Sequence, residues 1–405
     1  MRRSDVPSAG RVRSVHRREG QSDGADHAGG FRPAVPGDGR RPLWPGVARL
    51  DGVLCASGGA DEASGSLSGG RQRSPWAGSA DGGALGAAGG VERDGGPRFD
   101  RAVAPGGYAW WYVDALSQDR AFGLTIIAFI GSVFSPYYIW SGRVDPLDHC
   151  AVNVGLYGPR GKRWAMTERA RSSLSRAANS LAIGRSALEW RAGGLEIDID
   201  EVCVPLPTRI RGRVRIEPAA VNAQSFALDA RGRHAWRPIV PSARVTVDLE
   251  RPALRWRGEG YFDMNAGDEP LENGFDSWTW SRAALSPGAT ILYEASRRDG
   301  GDLALAMRFD AAGRCEPFTP PPVAALPNTC WRIARQTRSD EAASVERTFE
   351  DTPFYARSLV SSTLLRENVV SVHESLSLTR FSNPIVRLML PFRMPRRSGS
   401  QAPHF

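Results

Sequence analysis

The sequence contains almost no lysine and no apolar run long enough to cross a membrane as a helix. Lys162 is the only lysine among 52 basic residues, so the net charge of +8 is carried by arginines. These arginines are interspersed with acidic residues rather than gathered in one block, which argues against a nucleic-acid partner. The longest apolar stretch covers residues 123–134, well short of a membrane span. We therefore expect neither a nucleic-acid-binding protein nor an integral membrane protein.

Metal-ligand spacing is missing as well. The five cysteines and six histidines lie far apart, and no two histidines have the spacing of metal ligands. The sequence therefore predicts no metal site.

The composition of the chain changes near residue 97. Glycine, arginine, serine and alanine dominate before this point, without sustained periodicity. Such a segment buries too little apolar area to offset its conformational entropy, so residues 1–97 are expected to be disordered. A second interpretation places the true start codon downstream of this segment. The remainder is long enough for two domains, which we place at 98–240 and 241–392, followed by a basic tail at 393–405.

From residue 98 onward the chain shows the period-two pattern of β-strands. Residues 195–200 alternate apolar and acidic side chains, and residues 209–216 alternate basic and apolar ones. If these strands pair, acids face arginines across the ladder. Residues 291–295 and 303–309 flank a turn-rich segment and predict a hairpin. Helical periodicity is weak, with residues 169–181 as its best candidate, so the many short strands predict an all-β sandwich or barrel.

Twelve tryptophans, several of them close together, are the first indication of a ligand. Core packing accounts for any single one of them. As a set within a β-barrel, aromatic side chains also suit a long apolar ligand. The candidate substrate-binding residues are Trp110, Trp111, Tyr137, Tyr138, Trp256, Trp278 and Trp280.

Two short polar–aromatic motifs are the second indication. His234 and Trp236 are two residues apart and share one face of a strand, as do Tyr261 and Asp263. An acid, a base and two aromatic faces on neighbouring strands would form a small acid–base site. The alternative interpretation is structural, because clustered titratable groups mark functional sites only in some proteins.

Several long and distinctive blocks extend over the chain between about residue 98 and residue 397. They are residues 105–114, 123–138, 149–153, 163–169, 197–201, 234–239 and 260–265. These blocks are similar to those of the acyclic carotenoid 1,2-hydratases, also called hydroxyneurosporene synthases. Residues 1–97 lie outside the resemblance.

The resemblance implies a function and a fold. Members of this family add water across the terminal 1,2 double bond of acyclic carotenoids such as neurosporene and lycopene. The products are 1-hydroxy carotenoids, on the way to spheroidene- or spirilloxanthin-type pigments. These hydro-lyases need no organic cofactor and are built as two lipocalin-like (calycin) barrels. The histidine, tryptophan, tyrosine and aspartate linked to catalysis in the family match His234, Trp236, Tyr261 and Asp263.

Alkene hydration requires these residue types. A proton goes to carbon 2, which leaves a tertiary cation at carbon 1. For Asp263 to donate that proton at neutral pH, burial must raise its pKa. The faces of Trp236 and Tyr261 would stabilise the cation by up to roughly 2 kcal/mol each, and His234 would take a proton from the attacking water. The opposite assignment, with a protonated His234 as the acid and Asp263 orienting it, stays open at this stage.

The end of the chain predicts contact with a membrane. Residues 385–397 mix apolar side chains with arginines and would lie on an anionic surface. We therefore expect the protein on the cytoplasmic side of the inner or intracytoplasmic membrane; a final strand with a frayed basic end is the alternative. The rival function is a non-catalytic lipocalin-like carrier of carotenoid or lipid, since barrels host many functions. A carrier would have no need of an acid–base pair at Asp263 and His234.

Overall fold

The computed structural model describes residues 95–397, and β-strands dominate this range. Twelve consecutive strands belong to the first, larger sheet. They are β1 (Tyr108–Ser117), β2 (Gly123–Ile130), β3 (Cys150–Gly158), β4 (Gly161–Arg169), β5 (Leu174–Ala177), β6 (Ser180–Ile183), β7 (Ser186–Arg191), β8 (Gly194–Val202), β9 (Arg209–Pro218), β10 (Phe226–Ala227), β11 (His234–Arg251) and β12 (Leu254–Gly267).

The following strands build a second sheet and a small ribbon. They are β13 (Phe275–Leu285), β14 (Gly288–Arg297), β15 (Asp302–Phe309), β16 (Cys315–Pro317), β17 (Val323–Leu326), β18 (Arg335–Arg338), β19 (Ser344–Asp351), β20 (Tyr355–Leu364) and β21 (Glu367–Ser377). The second sheet has the order β16-β15-β14-β13-β21-β20-β19, and β17 pairs with β18 alone. A last strand, β22 (Arg396–Arg397), returns to the first sheet and runs parallel to β4.

Helices are few and short in this part of the chain. The α-helices are α1 (Pro136–Trp140), α2 (Leu271–Gly274), α3 (Leu378–Phe381) and α4 (Pro384–Met389), and 3-10 turns cover Pro146–Asp148, Arg171–Ser173 and Leu390–Phe392. No helix between residues 95 and 397 is both long enough and apolar enough to cross a membrane.

The first sheet is strongly curled. Its order is β22-β4-β3-β2-β1-β12-β11-β9-β8-β7-β6-β5, yet the segment after β8 returns to β4, where the Val204 amide donates to the Trp164 carbonyl (3.0 Å). The concave face encloses a mainly aliphatic core. The opposite face of β1, β11 and β12 packs against the second sheet through an aromatic layer. All ten residues of β1 are buried because both faces of this strand are covered.

Several predicted strands are confirmed. Residues 195–200 lie in β8 and residues 209–216 in β9, and these strands pair with Asp198 opposite Arg213. The two side chains form an ion pair of 2.9 Å, as the charge pattern predicts. Residues 291–295 and 303–309 lie in β14 and β15, which are neighbours in the second sheet.

The helix predicted over residues 169–181 is wrong. This segment contains the end of β4, a 3-10 turn and the hairpin of β5 and β6. Leu174 pairs with Ile183 across a tight turn after Ala177, so strand pairing outweighs a weak helical spacing.

The predicted domain limits can be compared with the positions of the strands. Residue 240 lies within β11, which continues unbroken to Arg251, and the chain passes to the second sheet only between β12 and β13. The disorder predicted for residues 1–97 concerns residues almost wholly outside the described range, as does the end of the basic tail beyond residue 397.

Candidate active site

Asp263 lies at the centre of a buried cluster on the face of β12 that packs against the second sheet. β12 pairs with β1 on one side, where Asp263 stands opposite Tyr112, and with β11 on the other, where Trp236 stands opposite Asn265. Because side chains alternate along a strand, Tyr261, Asp263 and Asn265 share this face. Strand register thus brings three of the four predicted catalytic residues together.

The hydrogen bonds of Asp263 are unequal on its two oxygens. Oδ2 accepts from the Tyr261 hydroxyl at 2.8 Å and from Trp236 Nε1 at 2.9 Å, whereas Oδ1 accepts from Asn265 Nδ2 at 3.3 Å. The residue is 3% exposed. Burial raises the pKa of Asp263 well above its ordinary value, and the two short hydrogen bonds offset this only in part. The site therefore favours the protonated carboxyl group.

Aromatic rings from both sheets surround this carboxyl group. The ring of Trp280 on β13 lies 5.3 Å from that of Tyr261, and the ring of Tyr293 on β14 lies 5.3 Å from that of Trp236. Such rings present negative faces that attract a cation. The cluster can therefore hold a neutral acid beside surfaces that stabilise positive charge.

His234 is buried, but it has other partners. Its Nδ1 is 2.9 Å from the Tyr108 hydroxyl, and its Nε2 is 3.5 Å from a carboxylate oxygen of Glu269. Burial lowers the pKa of His234, which favours the neutral imidazole. Among residues 95–397, no hydrogen bond joins His234 to Asp263.

Strand register explains this separation. His234 stands opposite Gly267, which is four residues beyond Asp263 on β12 (267 − 263), or about 13 Å along a strand. The ring also lies close to α2, because a Cβ placed on Gly274 would be 2.7 Å from its Nε2. His234 thus lies at the α2 end of the aromatic layer rather than beside the acid.

Three of the seven predicted substrate-binding residues lie in the aromatic layer. They are Trp110, Trp278 and Trp280. The rings of Trp110 and Trp278 are 6.0 Å apart and come from different sheets. These tryptophans continue the aromatic surface from Asp263 toward His234.

The other four predicted substrate-binding residues lie elsewhere. Trp111 on β1 and Trp256 on β12 lie on the strand faces that point away from the aromatic layer, because side chains alternate along a strand. They pack with the core of the curled sheet. Tyr137 packs on Trp140 in α1, and the Tyr138 hydroxyl donates to the Gly107 carbonyl (2.9 Å). The structure does not bring them to Asp263.

Two polar groups of the cluster were not predicted from the sequence. Asn265 is two residues after Asp263, so the period-two pattern that paired Tyr261 with Asp263 extends to it. Tyr293, whose hydroxyl lies 3.4 Å from Asn265 Oδ1, comes from the second sheet. No local sequence pattern predicts this contact between Tyr293 and Asn265, because it arises only when the two sheets pack together.

Two buried ion pairs lie near the cluster. Arg282 on β13 bonds Asp114 on β1 at 2.6 Å, and Arg357 bonds Glu374, which also accepts from the Tyr112 hydroxyl at 2.8 Å. Asp114 and Glu374 contribute to the raised pKa of Asp263 through negative charge. Across residues 95–397, no three His, Cys, Asp or Glu side chains converge as a metal site would require.

The fold and this cluster define a class of protein. It is a mostly β protein that holds a carboxyl group with a raised pKa among aromatic faces, an arrangement suited to acid chemistry on an apolar ligand.

Comparisons with known proteins identify the family. The family model for carotenoid hydratase CrtC matches residues 126–403. An acyclic carotenoid 1,2-hydratase of Thiocapsa roseopersicina is 54% identical and covers 94% of this chain and 96% of its own length. One of Rubrivivax gelatinosus is 50% identical, with 98% and 100% covered. The crystal structure of kievitone hydratase from Nectria haematococca has 8% identity and a TM-score of 0.44, covering 71% of this chain and 94% of its own. This chain belongs to the carotenoid hydratase family.

Proposed function

We propose that this protein is a hydro-lyase, an acyclic carotenoid 1,2-hydratase. It adds water across the terminal C1=C2 bond of a carotenoid such as neurosporene or lycopene and gives the 1-hydroxy carotenoid. The observation that carries the mechanism is Asp263, a buried carboxyl group with a raised pKa among aromatic faces. Such a group still holds its proton at neutral pH and can donate it to an alkene, whereas a carboxyl group of ordinary pKa would already be ionised.

Asp263 gives its proton from Oδ1. Oδ2 accepts two short hydrogen bonds, from Tyr261 and Trp236, and so acts as the carbonyl-like oxygen of the acid. The acidic proton is then on Oδ1, whose contact with Asn265 is the longer one. Transfer of this proton to carbon 2 leaves the positive charge on carbon 1.

The rings of Trp236, Tyr261 and Trp280 stabilise that tertiary cation. Each ring face contributes up to about 2 kcal/mol when water is excluded. The burial of all three side chains provides that exclusion, which also protects the cation from water in unproductive positions.

His234 has a different role in this proposal from the one predicted for a base. Its distance from Asp263 along β12 and its hydrogen bond with Tyr108 support a role between α2 and the acid, on the proposed path of the substrate. A neutral, fully buried imidazole there orients Tyr108, which stacks on Trp110 with ring centres 4.9 Å apart. His234 therefore shapes the passage of the carotenoid chain, and its lowered pKa disfavours it as the acid.

We further propose that the two sheets correspond to two lipocalin-like units. The curl of the first sheet around its own core supports one unit, and the separate strand order of the second sheet supports the other. The active site then lies between the units, not inside either barrel.

Contact with the membrane is also part of the proposal, on the cytoplasmic side of the inner or intracytoplasmic membrane. The α4 residues Ile385, Leu388 and Met389 have helical spacing i, i+3, i+4 and are exposed, and the nearby Phe392 is 80% exposed. Arg387 of the same helix bonds Glu272 of α2, close to His234. An apolar and basic surface at this end lets a carotenoid pass from a bilayer toward Asp263.

The function can be tested by expressing the chain in cells that accumulate lycopene or neurosporene. Chromatography with mass detection should reveal a product heavier by one water with an unchanged polyene chromophore. Asp263→Asn should bind carotenoid but lose at least 99% of the product, since removing a general acid typically costs about 10²–10⁴ in rate.

Asp198→Asn is a matched control, because this aspartate is exposed and pairs with Arg213 far from the aromatic layer. It should form product like the wild type. Pigment that copurifies unchanged with the wild-type protein would instead identify a carrier.

A further inference from the structure

The position of the attacking water is the step that the predicted residues do not explain. Carbons 1 and 2 are directly bonded, so the water that attacks carbon 1 must lie within a few ångströms of the acid that protonates carbon 2. His234 stands opposite Gly267, four residues beyond Asp263 on β12 (267 − 263), and its ring lies against α2, so it is not within that reach. Another polar group near Asp263 must therefore hold the water.

We propose that Asn265 and Tyr293 hold this water and that Asp263 both gives the proton and takes it back. This inference rests on the proposed hydration of a carotenoid. Asn265 Nδ2 lies 3.3 Å from Asp263 Oδ1, and the Tyr293 hydroxyl lies 3.4 Å from Asn265 Oδ1. The chain from Asp263 through Asn265 to Tyr293 crosses from the first sheet to the second.

The bonding capacity of this pair supports the assignment. Both contacts are longer than the usual range, which is about 2.7–3.2 Å for N–H···O and about 2.5–3.0 Å for O–H···O, so each group retains bonding capacity for another partner. An asparagine amide has two donors and an acceptor oxygen, and a tyrosine hydroxyl can both donate and accept. A buried water needs two to four polar partners, which these two side chains and Asp263 Oδ1 supply.

The surroundings of the pair exclude other water. Asn265 and Tyr293 are both buried, and the ring of Trp236 covers Tyr293 at 5.3 Å while that of Trp278 lies 6.2 Å from it. A single ordered water in an aromatic layer attacks the cation from one direction only. Bulk water would instead quench it from any side.

The proton balance closes on one carboxyl group. The O–H bond at Asp263 Oδ1 breaks and a C–H bond forms at carbon 2. The water oxygen then forms a bond to carbon 1, and the resulting oxonium group returns one proton to the Asp263 carboxylate. The net change is the addition of H₂O, with the acid restored and no second base required. Because one carboxyl group serves both steps, H and OH add to the same face of the double bond.

The test measures the ratio of two outcomes for the cation, which are capture by water and loss of a proton. In D₂O, Asp263 delivers deuterium to carbon 2, and a cation that water does not capture loses the original hydrogen of carbon 2 or a proton from a methyl group on carbon 1, so that the unhydrated carotenoid is recovered with deuterium at carbon 2. The purified full-length protein is incubated in D₂O with lycopene in phospholipid vesicles. Mass spectrometry then gives the ratio of hydrated product to deuterium-labelled recovered substrate in one sample.

Asn265→Leu and Tyr293→Phe should lower this ratio about tenfold or more, because they remove water contacts but leave the acid in place. Asp263→Asn should lose both hydration and exchange. Asn222→Leu is the matched control, since Asn222 is also buried but bonds the Pro238 carbonyl outside the aromatic layer. Its ratio should equal that of the wild type.

Because both quantities come from the same enzyme molecules, partial unfolding of a variant does not change the ratio. A wild-type ratio in both Asn265→Leu and Tyr293→Phe would overturn the inference. A wild-type ratio in these variants together with a lowered ratio in His234→Gln would show that His234 holds the attacking water. Wild-type protein that yields neither hydrate nor exchange would refute the proposed function itself, and this inference with it.

Discussion

Asp263 owes its raised pKa to its position on β12. A carboxylate there would lose its hydration and lie near the negative charges of Asp114 and Glu374, while only two short neutral hydrogen bonds compensate it. Deprotonation is therefore the costly state. The same burial that keeps Asp263 protonated for its proposed role as a proton donor must also cost the protein stability when the pH rises.

Asp263→Asn should raise the free energy of unfolding at neutral pH. Below about pH 4 the carboxyl group is protonated in both the folded and unfolded states, and its full contribution is present. As the pH rises through the unfolded-state pKa, only the unfolded chain loses the proton, so the wild type loses up to about 1.4 kcal/mol of stability per pH unit. This loss ends when the pH reaches the raised pKa of the folded state.

Urea unfolding of both proteins between pH 4 and pH 8 measures this effect. The stability difference in favour of the asparagine variant should widen as the pH rises. A constant difference, or a less stable variant at pH 8, would contradict the raised pKa.

Spacing in the sequence predicts contacts within the candidate site only between residues that share a strand. The spacing of His234 and Trp236, and of Tyr261 and Asp263, places each pair on one strand face, as observed. The same rule applied to β1 separates Trp110 from Trp111, whose adjacent positions point to opposite faces. Tyr293 and Trp280 come from another sheet, and no spacing in the sequence predicts that contact.

Among the elements, β1 and β12 do most to position the chemistry. Both are central in the first sheet, and each carries one face into the aliphatic core and the other into the aromatic layer. The buried pair of Arg282 and Asp114 joins β13 to β1 and fixes the second sheet against the first. This bond lets side chains from two sheets meet at Asp263.

Strand alternation explains which elements the sequence predicts well. β8 and β9 each have one charged and one apolar face, so their sequences predict both the strands and their pairing. β11 has no such signal at residue 240, because it bends through register shifts between Arg237 and Ala243 and continues. Prolines 238 and 241 lie within this irregular part of the strand.

At the scale of the whole molecule, the end that carries α2, α3 and α4 is the proposed entry for a lipid-soluble substrate. Arg143 and Arg387 both bond the same oxygen of Glu272. This shared contact links α4 to the segment that carries Trp140 and Val144, whose side chains are exposed. Exposed apolar groups and arginines thus surround the end of the aromatic layer that contains His234. This composition is what the proposed contact with an anionic bilayer requires.

The triple variant Ile385→Ser, Leu388→Ser, Phe392→Ser should bind anionic phospholipid vesicles at least tenfold more weakly than the wild type. Each of these side chains contributes up to about 1.5–3 kcal/mol when fully buried in lipid. Cosedimentation measures the binding, and added salt should weaken it further.

Leu206→Ser is the control for this experiment, because Leu206 is similarly exposed on the connection between β8 and β9. It should sediment like the wild type. Equal binding by the triple variant and this control would exclude α4 as the contact.

The protonation state of Asp263 at neutral pH is the most direct test of the whole account. Infrared difference spectroscopy of the wild type against Asp263→Asn, both at pH 7, isolates the signal of this one side chain from other buried acids such as Glu201. The account predicts the carbonyl stretch of a protonated carboxylic acid, absent in the variant and lost from the wild type only at higher pH. A carboxylate signal for Asp263 at pH 7 would contradict it.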